Sequence, residues 1–279
     1  MGHETIVVVD DGETVEIALN RPERANAINK KMEEELFAEL DKAESNPQVR
    51  SIIVRGNGKH FCSGGDMYQA AAGHGKTRDA NPARVRDSIR DLAIWQNYRK
   101  PIIMAVHGYL GAQAVRWMLN VDLTVATPDA RISYAGLRNG RAPATIVSAL
   151  TIGHKKLKEW QMLAGTLSGE EAERHGLINK VVPMDQLYPT ARAWARTIAA
   201  IPVDVVMVNK HLINQVYEMF GSPTHYHLSN LGNRVSHDSP MDDEFYRRIS
   251  QDGLKPALLW RDSQKDSSNL DLDAVPTRN

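Results

Sequence analysis

The sequence predicts an α/β fold, and two strand-to-helix junctions together with a long alternation of strands and helices are the observations that predict it. An apolar, β-branched run over 51–55 leads into His60-Phe61-Cys62-Ser63-Gly64-Gly65-Asp66-Met67 and then into a helical pattern. A second apolar run, Ile102-Ile103-Met104-Ala105-Val106, leads into the stretch 107–113 and another helical pattern. Because the connections between strands are long, the pattern favours right-handed parallel crossovers.

The two junctions also indicate a function. A glycine turn between a strand and a helix can leave backbone amides pointing outward, where they can hold an anion. For Gly64-Gly65 alone, a simple chain reversal is an equally good interpretation, because strand-glycine-helix junctions are common. The second junction, at 107–113, favours the anion-binding interpretation, since each junction could aim one N–H at the same oxygen.

Composition sets the bounds on fold and partners. The chain has 279 residues, of which 42% are hydrophobic and 24% charged, so it can bury a full core as one large α/β domain or as a domain with an appendage. Lys+Arg and Asp+Glu both number 34, so no overall field recruits nucleic acid or an anionic membrane. Nothing at the N-terminus resembles a signal peptide, and no apolar run approaches the length of a membrane span.

The cysteine and histidine content bears on the cellular compartment and on metal binding. A single cysteine, Cys62, excludes an intrachain disulfide and fits a reducing compartment, so we expect a cytoplasmic protein. Cys62 stands beside the glycine turn and could be imagined as a nucleophile, but a buried structural cysteine is the commoner case. The ten histidines are scattered, His225 and His227 being the closest pair, and predict no metal site.

The N-terminal half divides into elements as follows. An Asp-Gly turn at 11–12 predicts a β-hairpin of strands 5–9 and 14–19. A polar loop over 20–27 precedes Asn29, which is a plausible N-cap for a helix through Ser45. That helix directs these residues inward: Met32, Leu36, Leu40 and Ala43. Residues 70–83 lack periodicity and are expected to form a loop that could cover a ligand, followed by a helix over 83–98.

The second half becomes progressively helical. After the strand at 102–106 and a helix over 112–120, short strands are predicted at 122–127 and 132–134. The stretch 175–182 predicts one more short strand, after a glycine stop. Helices are predicted over 144–150, 155–164, 169–174, 185–200 and 204–220. The resulting division is a core over 1–200, a helical region over 201–262 and a polar, disordered tail over 263–279.

Five stretches of the chain, in order, resemble the enoyl-CoA hydratase/isomerase (crotonase) superfamily. They are Leu19 to Ala27, His60 to Met67, Ala105 to Tyr109, Asp122 with Asp129-Ala130-Arg131, and Ala172 to Val182. The resemblance covers roughly residues 4 to 260 and implies a ββα spiral with a C-terminal helical trimerisation region. It also implies a homotrimer or dimer of trimers and coenzyme A as part of the substrate, with no prosthetic group.

The resemblance implies roles for individual residues. The amides of Gly65 and Gln113 would form an oxyanion hole for the thioester carbonyl. The coenzyme A ligand would be bound by residues of the loop and of the first junction, namely Arg24, Ala25, Ser63, Gly65, Asp66 and Met67. An arginine near the pyrophosphate is also favourable on electrostatic grounds, and the less favoured alternative is that Arg24 is a solvated loop charge.

The sequence departs from the family at the second junction. Ala112-Gln113-Ala114 stands where many members have three glycines, and Arg116 and Gly136 stand where hydratases have their two glutamates. Without those carboxylates a standard hydration cycle lacks its acid and base. Four neighbouring residues are candidates for replacing them, because tyrosine can donate a proton and arginine can bind a carboxylate: Arg116, Tyr134, Arg138 and Arg141.

Three hypotheses therefore stay open at this point. The first is an enzyme that acts on an acyl-CoA through an enolate, with reduced hydratase activity. The second is a lyase that decarboxylates a malonyl-type thioester or cleaves a carbon–carbon bond. The third is a binding module that keeps the coenzyme A pocket without catalysis. Ordinary structural roles for Arg116, in an ion pair within its helix, and for Tyr134, in a strand, also stay open.

Overall fold

The fold was analysed in a computed structural model that describes residues 2–73, 94–134, 137–138, 146–221, 224–225, 228–229 and 239–263. Several predicted features therefore lie outside the described residues. These are most of the loop predicted over 70–83, most of the helix predicted over 83–98, the candidate residues Gly136 and Arg141, His227, and the tail after 263.

The elements alternate along the chain as the sequence predicts. The strands are β1 (Ile6–Asp10), β2 (Thr14–Leu19), β3 (Ser51–Gly56), β4 (Ile102–Val106), β5 (Tyr109–Gly111), β6 (Leu123–Ala126), β7 (Arg131–Ser133), β8 (Thr166–Ser168) and β9 (Lys180–Val181). The helices are α1 (Lys30–Ser45), α2 (Met67–Gly73), α3 (Gln113–Asn120), α4 (Ile146–Ile152), α5 (His154–Met162), α6 (Gly169–Arg174), α7 (Met184–Ala199), α8 (Val203–Met219), α9 (Pro240–Asp252) and α10 (Leu254–Ser263).

The strands form two sheets. The larger has the order β1-β2-β3-β4-β6-β9, and the smaller has the order β5-β7-β8. β1 and β2 pair antiparallel as the predicted hairpin, whereas every other pair in the larger sheet is parallel. The α/β fold with parallel crossovers is therefore confirmed. Since β4 lies in one sheet and β5 in the other, the chain changes sheets within the second predicted junction.

The central strands bury both faces, so successive residues enter different cores. Ile52 and Val54 of β3 pack on the side of α1, together with the inward residues of that helix. Ile53 of β3 packs instead against α7, through residues such as Leu187 and Ala191. Because both faces are buried, β3 and β4 are continuous apolar runs. The two helical layers hold the carboxyl ends of these strands in place.

Helix α1 has the N-cap that the sequence predicts. The Asn29 side chain accepts a hydrogen bond from the Met32 amide at 2.8 Å, satisfying one of the donors that a helix start leaves unpaired. The four predicted inward residues are buried: Met32, Leu36, Leu40 and Ala43. The cap fixes where α1 begins, next to the first junction.

The short strand predicted within 175–182 is present as Lys180–Val181, after the predicted glycine stop. The start of that range completes helix α6. His175 is the C-cap of that helix, and the Gly176 amide donates to the Glu173 carbonyl at 2.9 Å. The apolar residues Leu177 and Ile178 are buried through packing rather than through strand pairing.

The C-terminal helices attach to the core in two ways. Helices α9 and α10 pack on α2, with Phe245 and Tyr246 against Met67 and Ala70. Helix α8 buries a single residue, Lys210. The Lys210 ammonium donates to an Asp122 carboxylate oxygen at 2.7 Å and to the Lys100 carbonyl at 3.0 Å.

The ion pair of Lys210 and Asp122 yields a stability prediction. Lys210→Met keeps an apolar side chain of similar length, but the largely buried Asp122 carboxylate loses its ammonium partner. We expect the free energy of unfolding to fall by about 3 kcal/mol, the lower end of the range for breaking an enclosed pair. Chemical denaturation followed by circular dichroism measures this.

The matched control is Lys30→Met, which breaks an exposed pair with Glu34 at 3.6 Å. Exposed pairs contribute only about 0 to 1 kcal/mol, so this variant should unfold close to the wild type. Equal effects of the two substitutions would contradict the role given to Lys210 in attaching α8.

Candidate active site

The first junction is held against the start of helix α1. The Ile28 amide donates to the Gly64 carbonyl at 2.8 Å, and the Asp66 amide donates to the Ile28 carbonyl at 2.8 Å. These two bonds flank Gly65 as in a parallel bridge. Successive amides alternate in direction along an extended chain, so the Gly65 N–H points away from Ile28.

The second junction joins the first through strand β5. The Gly111 amide donates to the Cys62 carbonyl at 2.9 Å, so the two connections run side by side. The Ala112 amide then donates to Ser133 in β7 at 3.0 Å, and helix α3 begins at the next residue, Gln113. The first N–H of a helix has no acceptor within the helix, so the Gln113 amide is left facing outward.

The junctions touch at Gly64. Its φ of +97° is unfavourable for any residue with a side chain, and a Cβ there would lie 2.9 Å from the Ala112 Cβ and 3.4 Å from the Gln113 amide nitrogen. Within the described part of the chain, no group accepts a hydrogen bond from the Gly65 or the Gln113 amide. The structure therefore brings together the two donors that the sequence predicts, close to each other and unpaired.

The loop before α1 lies beside this pair of amides. The Ser63 amide donates to the Ala25 carbonyl at 2.9 Å, which fastens the loop to the first junction. The guanidinium of the exposed Arg24 lies over the Tyr68 ring of α2, 5.3 Å from its centroid. Three of the residues expected to bind coenzyme A, Arg24, Ala25 and Ser63, are thus neighbours in the structure.

Asp66 and Met67 have contacts within the protein. The Asp66 carboxylate pairs with Arg21 at 3.0 Å and accepts from the Tyr68 and Gln69 amides at 3.1 and 3.2 Å, capping α2. Met67 packs against the cluster around Phe245 from the C-terminal helices. The ion pair between Asp66 and Arg21 was not predicted from the sequence. It joins the loop before α1 to the first junction, and its two residues are 45 positions apart in the chain.

Tyr134 lies beyond the second junction in a closed environment. Its side chain is fully buried, and its ring packs on Trp160 with centroids 4.8 Å apart. Among the described residues its hydroxyl has no hydrogen-bond partner. Burial raises the pKa of Tyr134, and the nearby Arg116 opposes that shift, so the phenol keeps its proton at neutral pH. Tyr134 can therefore donate a hydrogen bond but is not a general base in this state.

The two described arginine candidates, Arg116 and Arg138, have different contacts in the structure. Arg116 lies on α3, one turn from Gln113, and acts electrostatically on Tyr134. Arg138 already faces a carboxylate, that of Asp262 in α10, at 3.7 Å, and donates to the Ala164 carbonyl at 3.4 Å. The expectation that Arg138 binds a substrate carboxylate is therefore in competition with an internal partner.

Cys62 has the structural environment that the sequence favours. The side chain is fully buried, its sulfur lies 3.0 Å from the Asn26 carbonyl, and burial raises the pKa of the thiol to about 12. A hydrogen bond from the Gly64 amide offsets only part of this shift. A protonated thiol without access to solvent does not act as a nucleophile.

One carboxylate near the junctions was missed altogether. The side-chain nitrogen of Gln113 donates to a Glu33 carboxylate oxygen at 2.6 Å. The side-chain oxygen of Gln113 lies 3.4 Å from the position that a Cβ on Gly65 would take. Because 80 positions separate Glu33 from Gln113, no local motif in the sequence signals this contact.

The described residues also bear on metal binding and on membrane insertion. No group of three or more His, Cys, Asp or Glu side chains among them is arranged to hold a metal ion. In the same part of the chain, every helix is too short or too polar to cross a bilayer.

Comparisons with known proteins agree with this geometry. A family model described as Enoyl-CoA hydratase/isomerase matches residues 11–239. "Probable enoyl-CoA hydratase echA8" of Mycobacterium bovis is 30% identical over 221 residues, covering 78% of this chain and 84% of that protein. The hydroxycinnamoyl-CoA hydratase-lyase of Pseudomonas fluorescens is 27% identical over 222 residues, covering 76% and 79% of the two chains.

Solved structures show the same likeness. The crystal structure of an enoyl-CoA hydratase/isomerase from Xanthobacter autotrophicus Py2 superposes with a TM-score of 0.88 at 30% identity, covering 95% of this chain and 99% of the other. An enoyl-CoA hydratase from Mycobacterium smegmatis superposes with a TM-score of 0.84 at 25% identity, covering 94% of each chain.

Proposed function

Because the chain belongs to the enoyl-CoA hydratase/isomerase family, we propose that it is an enzyme that binds an acyl-CoA thioester and stabilises an enolate of its acyl group. The observation that carries this proposal is the pair of unpaired amides, Gly65 and Gln113, at the contact between two strand-to-helix junctions. Both donors are part of the backbone and are fixed by hydrogen bonds on their neighbours. They need no reorganisation to receive a thioester oxygen.

The chemistry follows from where charge develops. Breaking a bond at the carbon next to a thioester carbonyl moves negative charge onto the carbonyl oxygen. Fixed N–H donors stabilise that charge more than they stabilise the neutral carbonyl. One such donor lowers the activation barrier by about 3 to 4 kcal/mol. The reaction requires no prosthetic group for this step, and coenzyme A enters as part of the substrate.

The surface next to the amides supports a nucleotide-bearing thioester. Arg24 offers an exposed cation for a pyrophosphate, held in place by its contact with Tyr68. Ala25 and Ser63 place backbone groups alongside, and Met67 supplies apolar surface for the pantetheine arm. Asp66 supports this surface indirectly, since its carboxylate is occupied by Arg21 and by the α2 amides.

The reaction differs from standard hydration in this proposal. Arg116 and Gly136 replace the two family glutamates, so neither position supplies a carboxylate to activate water.

The alternative function is that of a decarboxylase or carbon–carbon lyase, and one specific observation favours it. The Arg116 cation acts electrostatically on the buried Tyr134 hydroxyl, which has no hydrogen-bond partner among the described residues, and this hydroxyl could donate to the anionic end of an acyl group. A member that binds acyl-CoA without turnover is the third outcome to test.

The C-terminal region supports an assembly of identical subunits. Helix α8 leaves a row of large apolar side chains exposed, with Leu212, Ile213 and Phe220 each at least 60% accessible in the single chain. Monomeric proteins rarely leave such a contiguous apolar surface in water. We infer that α8 contacts further copies of this chain in a homotrimer or a dimer of trimers.

A ligand-binding prediction follows from the coenzyme A surface. Coenzyme A should raise the melting temperature, because a ligand that binds only the native state stabilises it by about 2.7 kcal/mol at a hundredfold excess over its dissociation constant. Arg24→Ala should reduce the shift, whereas Arg196→Ala, which removes an exposed arginine of α7, should not. Differential scanning fluorimetry measures all three proteins, and no shift at millimolar coenzyme A would overturn the ligand assignment.

A catalytic prediction follows from the missing glutamates. The wild type should hydrate crotonyl-CoA poorly, while Arg116→Glu combined with Gly136→Glu should gain hydratase activity, since the amides already polarise the thioester. Spectrophotometric hydration assays beside methylmalonyl-CoA decarboxylation assays distinguish the reaction classes. Ordinary hydratase turnover by the wild type would show that another group performs the proton transfers.

The assembly prediction concerns helix α8. The wild type should sediment as a trimer or hexamer at micromolar concentration, and Leu212→Glu should shift the distribution toward smaller species by burying a charge at the interface. Lys158→Glu changes the charge of an exposed residue on α5 and serves as the control. A wild-type monomer in analytical ultracentrifugation would rule out this assembly.

A further inference from the structure

Glu33 is fixed at the meeting point of the two junctions by contacts on both sides. Its helix, α1, begins where Ile28 bonds to Gly64 and Asp66 at the first junction. Its carboxylate accepts a hydrogen bond from the Gln113 side chain at the second junction, at 2.6 Å. The Gln113 side-chain oxygen also lies 3.4 Å from the position that a Cβ on Gly65 would take, so Glu33 contacts a side chain that lies beside the Gly65 backbone.

Among the described residues, the cations nearest to Glu33 along the chain are paired with other carboxylates. On α1 itself, Lys30 pairs with Glu34 at 3.6 Å, and Lys31 pairs with Glu4 and Glu35 at 3.7 and 3.6 Å. Across the first junction, Arg21 pairs with Asp66. Within the described residues no cation forms an ion pair with Glu33, and its second carboxylate oxygen has no hydrogen bond.

We propose that Glu33 is the carboxylate that exchanges protons with the α-carbon of the bound thioester. The inference rests on the proposed function, because it requires a thioester oxygen at the Gly65 and Gln113 amides. Glu33 belongs to α1, an element that contains neither of the two positions, 116 and 136, where hydratases have their glutamates. Gln113 then has two functions, one for its backbone N–H and one for the side chain that orients Glu33.

The step is a simple proton transfer. The Cα–H bond breaks, the proton forms a bond to a Glu33 carboxylate oxygen, and the electron pair moves through the Cα–C bond to the carbonyl oxygen. The two amides hold the resulting enolate oxygen, and the reverse transfer restores the thioester. Because Glu33 becomes neutral as the enolate becomes negative, the total charge near the amides does not change.

The Glu33 carboxylate favours a thioester that has no carboxylate of its own. A malonyl-type acyl group would bring a second negative charge beside Glu33 before any CO₂ is lost, and like charges at close range repel each other. A thioester that exchanges an α-proton avoids this repulsion. The substrate class that fits Glu33 is therefore a thioester with at least one hydrogen on the α-carbon.

The test measures exchange of the α-protons of butyryl-CoA in D₂O by mass spectrometry. Glu33→Gln keeps an oxygen to accept from Gln113 but cannot take up a proton, so exchange should slow by about 100-fold or more, the usual contribution of a general base. Glu33→Asp keeps the carboxylate and should exchange faster than Glu33→Gln. Glu34→Gln, on the exposed side of the same helix, is the matched control and should exchange like the wild type.

The outcomes separate this inference from the proposed function. If Glu33→Gln exchanges at the wild-type rate, or if the wild type binds coenzyme A but exchanges no α-protons, the role of Glu33 is overturned while coenzyme A binding stands. If coenzyme A fails to raise the melting temperature of the wild type, the proposed function itself falls. Slowed exchange in Glu33→Gln with an unchanged coenzyme A shift supports the assignment.

Discussion

The close contact between two strand-to-helix junctions is the constraint on which the rest of the structure depends. Gly64 touches Ala112 and the Gln113 amide so closely that only a residue without a side chain fits there. The parallel sheet delivers both connections to the same edge, and its two apolar cores hold β3 and β4 in place. A polar site of fixed geometry thus rests on ordinary packing of strands between helices.

The candidate functional residues lie around the contact between the two junctions. In the proposed function backbone amides provide the donors, so a side chain such as that of Gln113 can differ without removing a donor. Under that proposal a chain with Arg116 and Gly136 at the glutamate positions keeps the means to stabilise an enolate. Glu33 and the Arg116–Tyr134 pair then represent two different acyl-group chemistries that the same amides could serve.

Local patterns account for what could be predicted from the sequence. The hairpin turn, the Asn29 cap and the two glycine junctions each depend on a few adjacent residues, and the structure places them as expected. Contacts between distant residues leave no such pattern. Glu33 with Gln113, Arg21 with Asp66 and Arg138 with Asp262 join different elements through long side chains, so their partners became visible only in the folded chain. The short strand predicted within 175–182 is present as Lys180–Val181, and the apolar residues before it are buried by packing.

The most direct test of the central claim is a crystal structure with a bound acyl-CoA that turns over slowly, such as butyryl-CoA. The proposal predicts that the thioester oxygen lies about 3 Å from both the Gly65 and the Gln113 amide nitrogens, the distance at which such donors stabilise an oxyanion. A thioester oxygen in contact with neither amide, or an acyl group bound elsewhere on the chain, would contradict it.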